Sequence, residues 1–428
     1  MVGDRESSFQ FFWRYFRESR LLKLALAFNL LYYIAVIVLF GFYLIQGRLN
    51  ETIYTMDIQV FYEAGLMFLA SPGDIYTVAP NGLPYRYLPS FAAGMALLSN
   101  VPFYILYVIN ISFMMMVNFG IVFLVYLVSF QGGVNSSTKN FEKTLAILFI
   151  APQHIINIIL GQITQLAILL VLLALYLLHP KGRGSLFQFF CIGILIGIAS
   201  ILKPFFLVLI PFLIPITLTD RFRIKISLNH LIGVSIGFLL TMIPNIFYFI
   251  TYPSAIDGFI QANFADGLSF HHSTSITRLI IGLLPAFNSD ILQLSLILVL
   301  GGFLFLRSYI RFVRTPESEK NYLHHFTDMI FLILLVYPDS WFLFLAVWYA
   351  FMGPSMLQLY NISDRRELRN LDLLWSGSNN ILAFFSFGIV IHYLVLGIDP
   401  INPIWILILY LLYHRLFSRA SNSNSSFA

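Results

Sequence analysis

The sequence predicts an all-α, polytopic membrane protein whose spanning helices form a single domain. Apolar residues make up 59% of its 428 residues and charged residues 11%, whereas soluble proteins carry about 25% charged residues. A soluble fold of this length has too little interior for that much apolar surface, which a lipid bilayer accepts. The net charge of +5 does not indicate nucleic acid binding, because the Lys and Arg residues lie in short loops between apolar runs.

The spans are predicted from apolar runs whose length is close to the roughly 20 residues that cross a bilayer as a helix. About twelve such runs are present, in a range of about 10–13 spans, and the run 326–337 is short for a span. Because residues 1–20 lack the layout of a cleavable signal peptide, we expect the first run to remain as a spanning helix. The runs are 21–45, 104–130, 143–160, 162–179, 186–202, 204–219, 228–251, 288–307, 326–337, 339–360, 378–398 and 402–418.

The basic residues predict how these spans are oriented in the cell membrane. With the N-terminus in the cytoplasm, every basic cluster falls on the cytoplasmic side, provided that residues 87–100 do not cross. We therefore expect a re-entrant or interfacial helix at 87–100 and a cytoplasmic C-terminus. The resulting organisation is a cytoplasmic segment 1–20, one transmembrane domain 21–418 with external loops 46–103 and 252–287, and a polar tail 419–428.

The first external loop contains an acid at the start of a predicted interfacial helix. After Asp57, the residues Ile58, Phe61, Leu66 and Leu69 have the spacing of one apolar helix face. An acid at this point suits the helix N-terminal dipole and is typical of a cap. A carboxylate at the lipid–water boundary equally fits a general base for a hydroxyl acceptor.

Two predicted external turns carry further polar residues. Gln162 and Gln165 lie between two apolar runs, where amide side chains commonly bond to helix ends. Lys203 lies between two other runs, on the side where basic residues are sparse. Its ammonium group either reaches the membrane interface or binds an anionic phosphate.

The loop 252–287 carries His271, His272, Ser275 and Arg278. A pair of His residues with an Arg suits a phosphate group, and it equally suits a hydrated loop surface. The sequence shows no metal-ligand spacing, no phosphate-binding glycine loop and no nucleophile elbow. We therefore expect no metal and no cofactor.

Four stretches, in this order, resemble the polyprenyl-phosphate-mannose-dependent mannosyltransferases of glycosyltransferase family 87, which have the GT-C fold. MDIQVFYEAGLMFLASPGDIY, followed by YRYLPSFA, looks like the first external loop of that family. GQITQLAILLVLLALYLL is similar to its Gly-Gln turn and next span, and GILIGIASILKPFFLVLIPFL to its lysine–proline span, with the proline earlier here. STSITRLI and YPDSWFLF look like two later external segments. Together the stretches cover most of the chain, and they imply a GT-C-like fold.

The resemblance implies roles for individual residues. Asp57 is similar to the catalytic acid of the family, the base that takes the proton of the acceptor hydroxyl. Lys203 is expected to bind the phosphate of the donor, and Gln162 to line the donor site. The looser correspondences are donor contacts from His271, His272 and Arg278, and acceptor or loop contacts from Tyr62, Tyr76, Ser275 and Trp341.

The expected activity is transfer of a hexose, mannose by resemblance, from a polyprenyl-phosphate sugar to a glycolipid or a lipid-linked glycan. A single displacement at the external membrane face inverts the anomeric carbon. The sequence departs from the family at two places: Ser273-Thr274-Ser275 stands where Asn-Gln-Ser is usual, and Phe-Leu-Phe follows Trp341 where relatives often have His. These departures bear on the sugar and the acceptor more than on the fold.

Two other classes of protein stay open, a secondary transporter and a noncatalytic lipid-binding protein. A transporter needs ionisable residues inside its spans and often has internal repeats. No repeat is evident in the sequence, and Asp328 is expected near the cytoplasmic end of the shortest run. The remaining carboxylates considered lie in external segments or at their edges, which favours an enzyme: Asp57, Asp74, Asp257, Asp266 and Asp339.

Overall fold

The fold is known from a computed structural model, which describes most of the chain up to residue 362. The described residues are 8–49, 54–131, 139–178, 184–214, 216–218, 224–265, 273–283, 290–316, 320–337, 340, 344–362, 406 and 408–409. The predicted spans 378–398 and 402–418 therefore lie outside them, apart from Ile406, Ile408 and Leu409.

The described residues form an almost wholly helical protein, as the sequence predicts. Short 3₁₀ helices cover Pro72–Thr77, Pro80–Gly82 and Pro204–Leu213, and a π-helix covers Gln261–Ala265. The α-helices are α1 Ser8–Glu18, α2 Arg20–Ile45, α3 Met56–Ala70, α4 Pro89–Leu97, α5 Phe103–Gln131, α6 Lys139–Ile150, α7 Pro152–Leu160, α8 Thr164–Leu178, α9 Leu186–Leu202, α10 Leu228–Thr251, α11 Ser254–Ile260, α12 Ile276–Leu283, α13 Asp290–Arg314, α14 Tyr322–Val336 and α15 Leu345–Ile362.

Within the described part of the chain, five helical stretches are long and apolar enough to cross a membrane. They are Arg20–Ile45, Phe103–Phe130, Phe141–Leu160, Leu228–Thr251 and Leu294–Arg314. Shorter apolar helices accompany them, α8, α9 and α14 among these. The membrane class of the protein is thus supported, whereas the count of about twelve spans stays a prediction.

Several helices present apolar side chains to the outside, as expected for contact with lipid. Val38 on α2, Phe247 on α10 and Val299 on α13 are 63%, 70% and 72% exposed. In water such surfaces would favour association, but in a bilayer they are solvated by acyl chains.

The run 204–219 is not the single α-helical span that its apolar composition predicts. It forms the 3₁₀ helix Pro204–Leu213, and then the strand β1 (Ile216–Leu218), which pairs antiparallel with β2 (Ile224–Ile226). Pro204 begins the segment and Pro211 lies inside it. A proline lacks the N–H that an α-helix needs and restricts its predecessor, which explains the departure.

The N-terminal segment 1–20, predicted only as a cytoplasmic segment, contains α1. This helix packs aromatic rings against α5: Phe12 is fully buried, and its ring centre lies 5.1 Å from that of Phe123 and 5.0 Å from that of Tyr126.

Close packing of α9 against α10 positions the end of α9 that carries Lys203. A Cβ atom added at Gly193 would lie 2.3 Å from the carbonyl oxygen of Val234, and one at Gly237 would lie 2.1 Å from that of Phe190. Only glycine permits this approach, and small residues serve the same purpose in other membrane helix pairs.

Candidate active site

Asp57 lies in the first turn of α3, but it is not the residue that caps the helix. The N-cap is Thr55, which has a left-handed backbone (φ 67°) and whose side chain makes no capping bond. The capping interpretation of Asp57 is therefore wrong, although the acid still lies near the positive end of the helix dipole. Its side chain is half-buried.

The predicted apolar stripe of α3 divides into two parts. Ile58 and Phe61 are buried, with 3% and 1% exposed, whereas Leu66 and Leu69 are 42% and 63% exposed. The prediction of one continuous face resting on the membrane is therefore wrong for the first half of the helix. That half packs inside the protein, which fixes the direction of Asp57.

The Gly161–Gln162 turn holds the start of α3 against the end of α7. Gly161 has φ +76°, and a Cβ atom there would lie 2.7 Å from the Cβ of Ile58. The backbone N–H of Thr55 donates to the carbonyl of Ile159 (3.0 Å), and that of Gln162 donates to Asn157 (2.8 Å). Gln162 is consequently held, buried, beside the first turn of α3.

Lys203 follows the last residue of α9, which ends there because Pro204 cannot continue an α-helix. The lysine is only 6% exposed. Its Nζ donates to Tyr87 Oη (2.9 Å) and to Gln162 Oε1 (3.1 Å), and it lies 4.8 Å from the ring centres of both Tyr87 and Phe344. Aromatic faces stabilise a partly desolvated cation, which explains how a buried lysine is accommodated.

Tyr87 links the lysine to the rest of the site. Its ring packs edge-on against Phe61, with centres 4.8 Å apart, and its hydroxyl lies 3.4 Å from Gln162 Oε1. Burial raises the pKa of Tyr87 well above its ordinary value, and the Asp57 carboxylate raises it further. The hydroxyl therefore keeps its proton at physiological pH.

Another part of the wall is built around Arg86 and the π-helix. Arg86 Nε donates to the carbonyl of Ala262 (2.7 Å), while Asn263 Nδ2 donates to the carbonyl of Arg86 (3.3 Å). Tyr337 Oη in turn donates to Asn263 Oδ1 (3.1 Å). Short π-helical segments are frequent at functional sites, and here the segment joins three parts of one wall.

These residues enclose one open cleft with about 650 Å³ of empty space, its mouth included. The mixture of many apolar and few polar lining groups is typical of ligand sites. The lining residues are Asp57, Val60, Phe61, Leu83, Pro84, Arg86, Tyr87, Gln162, Lys203, Pro204, Phe205, Asn263, Tyr337 and Phe344.

The cleft has the groups for acid–base chemistry beside an anion. Among its described lining residues, the charged groups are one carboxylate, Asp57, and two cations, Lys203 and Arg86. A carboxylate can accept a proton, and the cations can stabilise negative charge that develops nearby. No three His, Cys, Asp or Glu residues of the described chain cluster in a way that could hold a metal ion.

Three of the predicted site residues, Asp57, Gln162 and Lys203, line this cleft together. Four others are described but do not line it. Tyr62 donates to the carbonyl of Ser99 (3.1 Å), and Tyr76 donates to that of Tyr87 (2.9 Å). Ser275 and Arg278 are buried beside Thr277, whose hydroxyl donates to the carbonyl of Val336 (2.7 Å). His271, His272 and Trp341 lie outside the described residues.

Sequence reasoning missed Arg86, Tyr87, Asn263, Tyr337 and Phe344. A signal for Arg86 was present, because it is one of the few basic residues on the predicted external side and directly precedes the predicted re-entrant helix. Asn263 carried no such signal, since its role depends on a π-helical turn.

No protein-family model, curated protein or solved structure matches this chain. The function is therefore inferred from the chemistry of the cleft and from the motifs quoted above.

Proposed function

We propose that this protein is a membrane glycosyltransferase. It moves a hexose from a polyprenyl-phosphate sugar to a hydroxyl group of a glycolipid or a glycan at the external membrane face. The observation that carries the proposal is that Asp57 and Lys203, 146 positions apart in the sequence, line the same cleft. A carboxylate and a buried cation in one site are what this reaction needs.

In the proposed reaction, Asp57 takes the proton of the acceptor hydroxyl as its oxygen attacks the anomeric carbon. The bond from that carbon to the phosphate oxygen breaks, and its electron pair stays on the phosphate. Lys203 offsets the charge that develops on the phosphate, and a preorganised cation of this kind contributes strongly in a partly dry site. The products are the inverted glycoside and the polyprenyl phosphate monoester.

The aromatic walls support the choice of a sugar. Phe205 lies 5.7 Å from Tyr337 and 5.5 Å from Phe344, measured between ring centres, and all three rings line the cleft. Such walls provide apolar faces for the C–H groups of a hexose, while Gln162 and Asn263 provide polar contacts. Mannose is favoured over glucose or arabinose by the family resemblance alone.

The proposal is tested with purified protein and a set of labelled polyprenyl-phosphate sugars carrying mannose, glucose or arabinose. Membrane glycolipid extract supplies the acceptor. We expect one sugar to be transferred to a product that is recovered by chromatography and identified by mass spectrometry, with inversion at the anomeric carbon. The absence of transfer from every donor, by folded protein with acceptor present, would reject the proposal.

A secondary transporter is the second candidate, and the observation that favours it is the buried position of Asp328 in the middle of α14. The residue is fully buried and is the seventh of the 15 residues of α14, because that helix begins earlier than the predicted run 326–337. The expectation that it lies near the helix end is therefore wrong. An ionisable residue inside a membrane helix is a functional candidate. Uptake of a labelled solute by vesicles, lost in Asp328→Asn, would support transport over transfer.

A further inference from the structure

The cleft contains a second cation that sequence reasoning did not select. Arg86 is half-buried and lines the same space as Lys203. The two reach it from different elements, Lys203 from the end of α9 and Arg86 from the segment that precedes α4. Two positive groups that line one cleft can contact the same anion.

A hydrogen bond joins the guanidinium group of Arg86 to the π-helix. Its Nε donates to the carbonyl of Ala262 (2.7 Å). The main chain of Arg86 is tied to the same segment through Asn263. A guanidinium has five N–H donors, of which four lie on the two Nη atoms, in a fork that matches phosphate oxygens.

The net charge of the cleft is positive, so the cleft attracts a doubly charged anion more strongly than a singly charged one. Lys203 and Arg86 contribute two positive charges and Asp57 one negative charge among the described lining residues. A phosphodiester carries one negative charge, whereas a phosphomonoester carries about 1.5–2 at pH 7, because its second pKa is about 6. Attraction to two cations therefore increases when the diester becomes a monoester.

We propose that Arg86 and Lys203 together bind the phosphate group, and that Arg86 makes the site selective for a phosphomonoester over a phosphodiester. This inference rests on the proposed function, in which the donor is a lipid phosphodiester and the leaving product a lipid phosphomonoester. The site then binds the phosphomonoester that forms during the reaction more tightly than it binds the phosphodiester of the donor. Such differential binding accelerates a reaction, and it makes the product an inhibitor.

The test measures binding without any sugar transfer. Full-length protein in detergent is titrated calorimetrically with a short-chain polyprenyl phosphate, and separately with its O-methyl diester. For the wild type we expect the monoester to bind at least about 10-fold more tightly at pH 7.5. The ratio of monoester affinity to diester affinity should fall towards one at pH 5, where the monoester carries about one negative charge.

Variants test whether the preference for the monoester depends on Arg86. Arg86→Gln should weaken monoester binding about 10- to 100-fold, the loss typical of a hydrogen bond to a charged group, and reduce the preference. Arg48→Gln is the matched control, because Arg48 is exposed, lies in the same predicted external loop and does not line the cleft; its binding should equal that of the wild type. Wild-type binding of the monoester by Arg86→Gln would overturn the inference.

A second substitution covers the case in which Arg86→Gln does not fold. Arg86→Lys keeps the charge and loses the fork, so monoester binding should weaken at least about threefold; unchanged binding would overturn the inference.

The outcomes also separate this inference from the proposed function. Selective monoester binding without sugar transfer would reject the transferase alone, whereas transfer by a protein whose phosphate binding ignores Arg86 would reject only this inference.

Discussion

At the residue scale, the surroundings of Lys203 explain how a charge is kept inside a membrane protein. Its Nζ donates to a tyrosine hydroxyl and to a glutamine oxygen, and it lies 4.8 Å from the centres of two aromatic rings. A neutral hydroxyl and an amide oxygen bind an ammonium group less strongly than a phosphate does, so both contacts can be exchanged for a phosphate oxygen. The lysine is therefore suited to hold an anion that enters and leaves.

The lysine gives the first prediction. Lys203→Ala should raise the donor concentration needed for half-maximal transfer about 10- to 100-fold, because a charge-assisted contact to the phosphate is lost. Steady-state kinetics over a range of donor concentrations measure this. Lys23→Ala, at an exposed lysine near the start of α2, is the control and should behave as the wild type. An unchanged donor dependence in Lys203→Ala would remove the residue from the site.

At the element scale, the Gly161 turn decides whether Asp57 and Gln162 face the same space. The sequence could predict a turn here, because it interrupts two apolar runs. It could not predict that Ile58 packs onto that glycine, since the contact joins segments about 100 residues apart and depends on how α3 is buried. The same limit applies to 204–219, whose composition indicates a span while its prolines impose a 3₁₀ helix.

The turn gives a prediction with a built-in comparison. Gly161→Ala combines a strained φ with a collision against Ile58, whereas Gly82→Ala has the same strain (φ +75°) and open space around it. We expect Gly82→Ala to cost about 1–2 kcal/mol, and Gly161→Ala to cost about 1–3 kcal/mol more, as overpacking does. Thermal unfolding in detergent and transfer activity measure both. Equal effects of the two substitutions would show that the contact with Ile58 is unimportant.

At the scale of the whole molecule, the protein separates an apolar outer surface from a cleft that holds its few polar groups. Apolar side chains cover the outside of α2, α10 and α13, while Asp57, Gln162 and Lys203 meet inside. The sequence predicted this meeting because the charge pattern put their segments on one side of the membrane. It did not predict Arg86 and Tyr87 as partners, because their positions depend on the irregular path from the 3₁₀ helix Pro80–Gly82 to α4.

The predicted orientation can be tested by chemical labelling. Cys191 is the single cysteine, so Cys191→Ser gives a background for new cysteines at exposed positions. In intact cells, a membrane-impermeant maleimide should label Asp74→Cys, in the predicted external loop. It should label Arg314→Cys, at the predicted cytoplasmic end of α13, only after the membrane is opened. The reverse pattern would contradict the orientation and, with it, an external site.

The central claim is that Asp57 is the base of a sugar transfer carried out in this cleft. Its most direct test is the rate of transfer from the accepted polyprenyl-phosphate sugar by Asp57→Asn, compared with Asp74→Asn, an exposed carboxylate of the same loop. Both variants are first shown to unfold at the wild-type temperature. We predict a loss of about 10²- to 10⁴-fold for Asp57→Asn, the usual contribution of a general base, and a wild-type rate for Asp74→Asn. Full activity of folded Asp57→Asn would contradict the account.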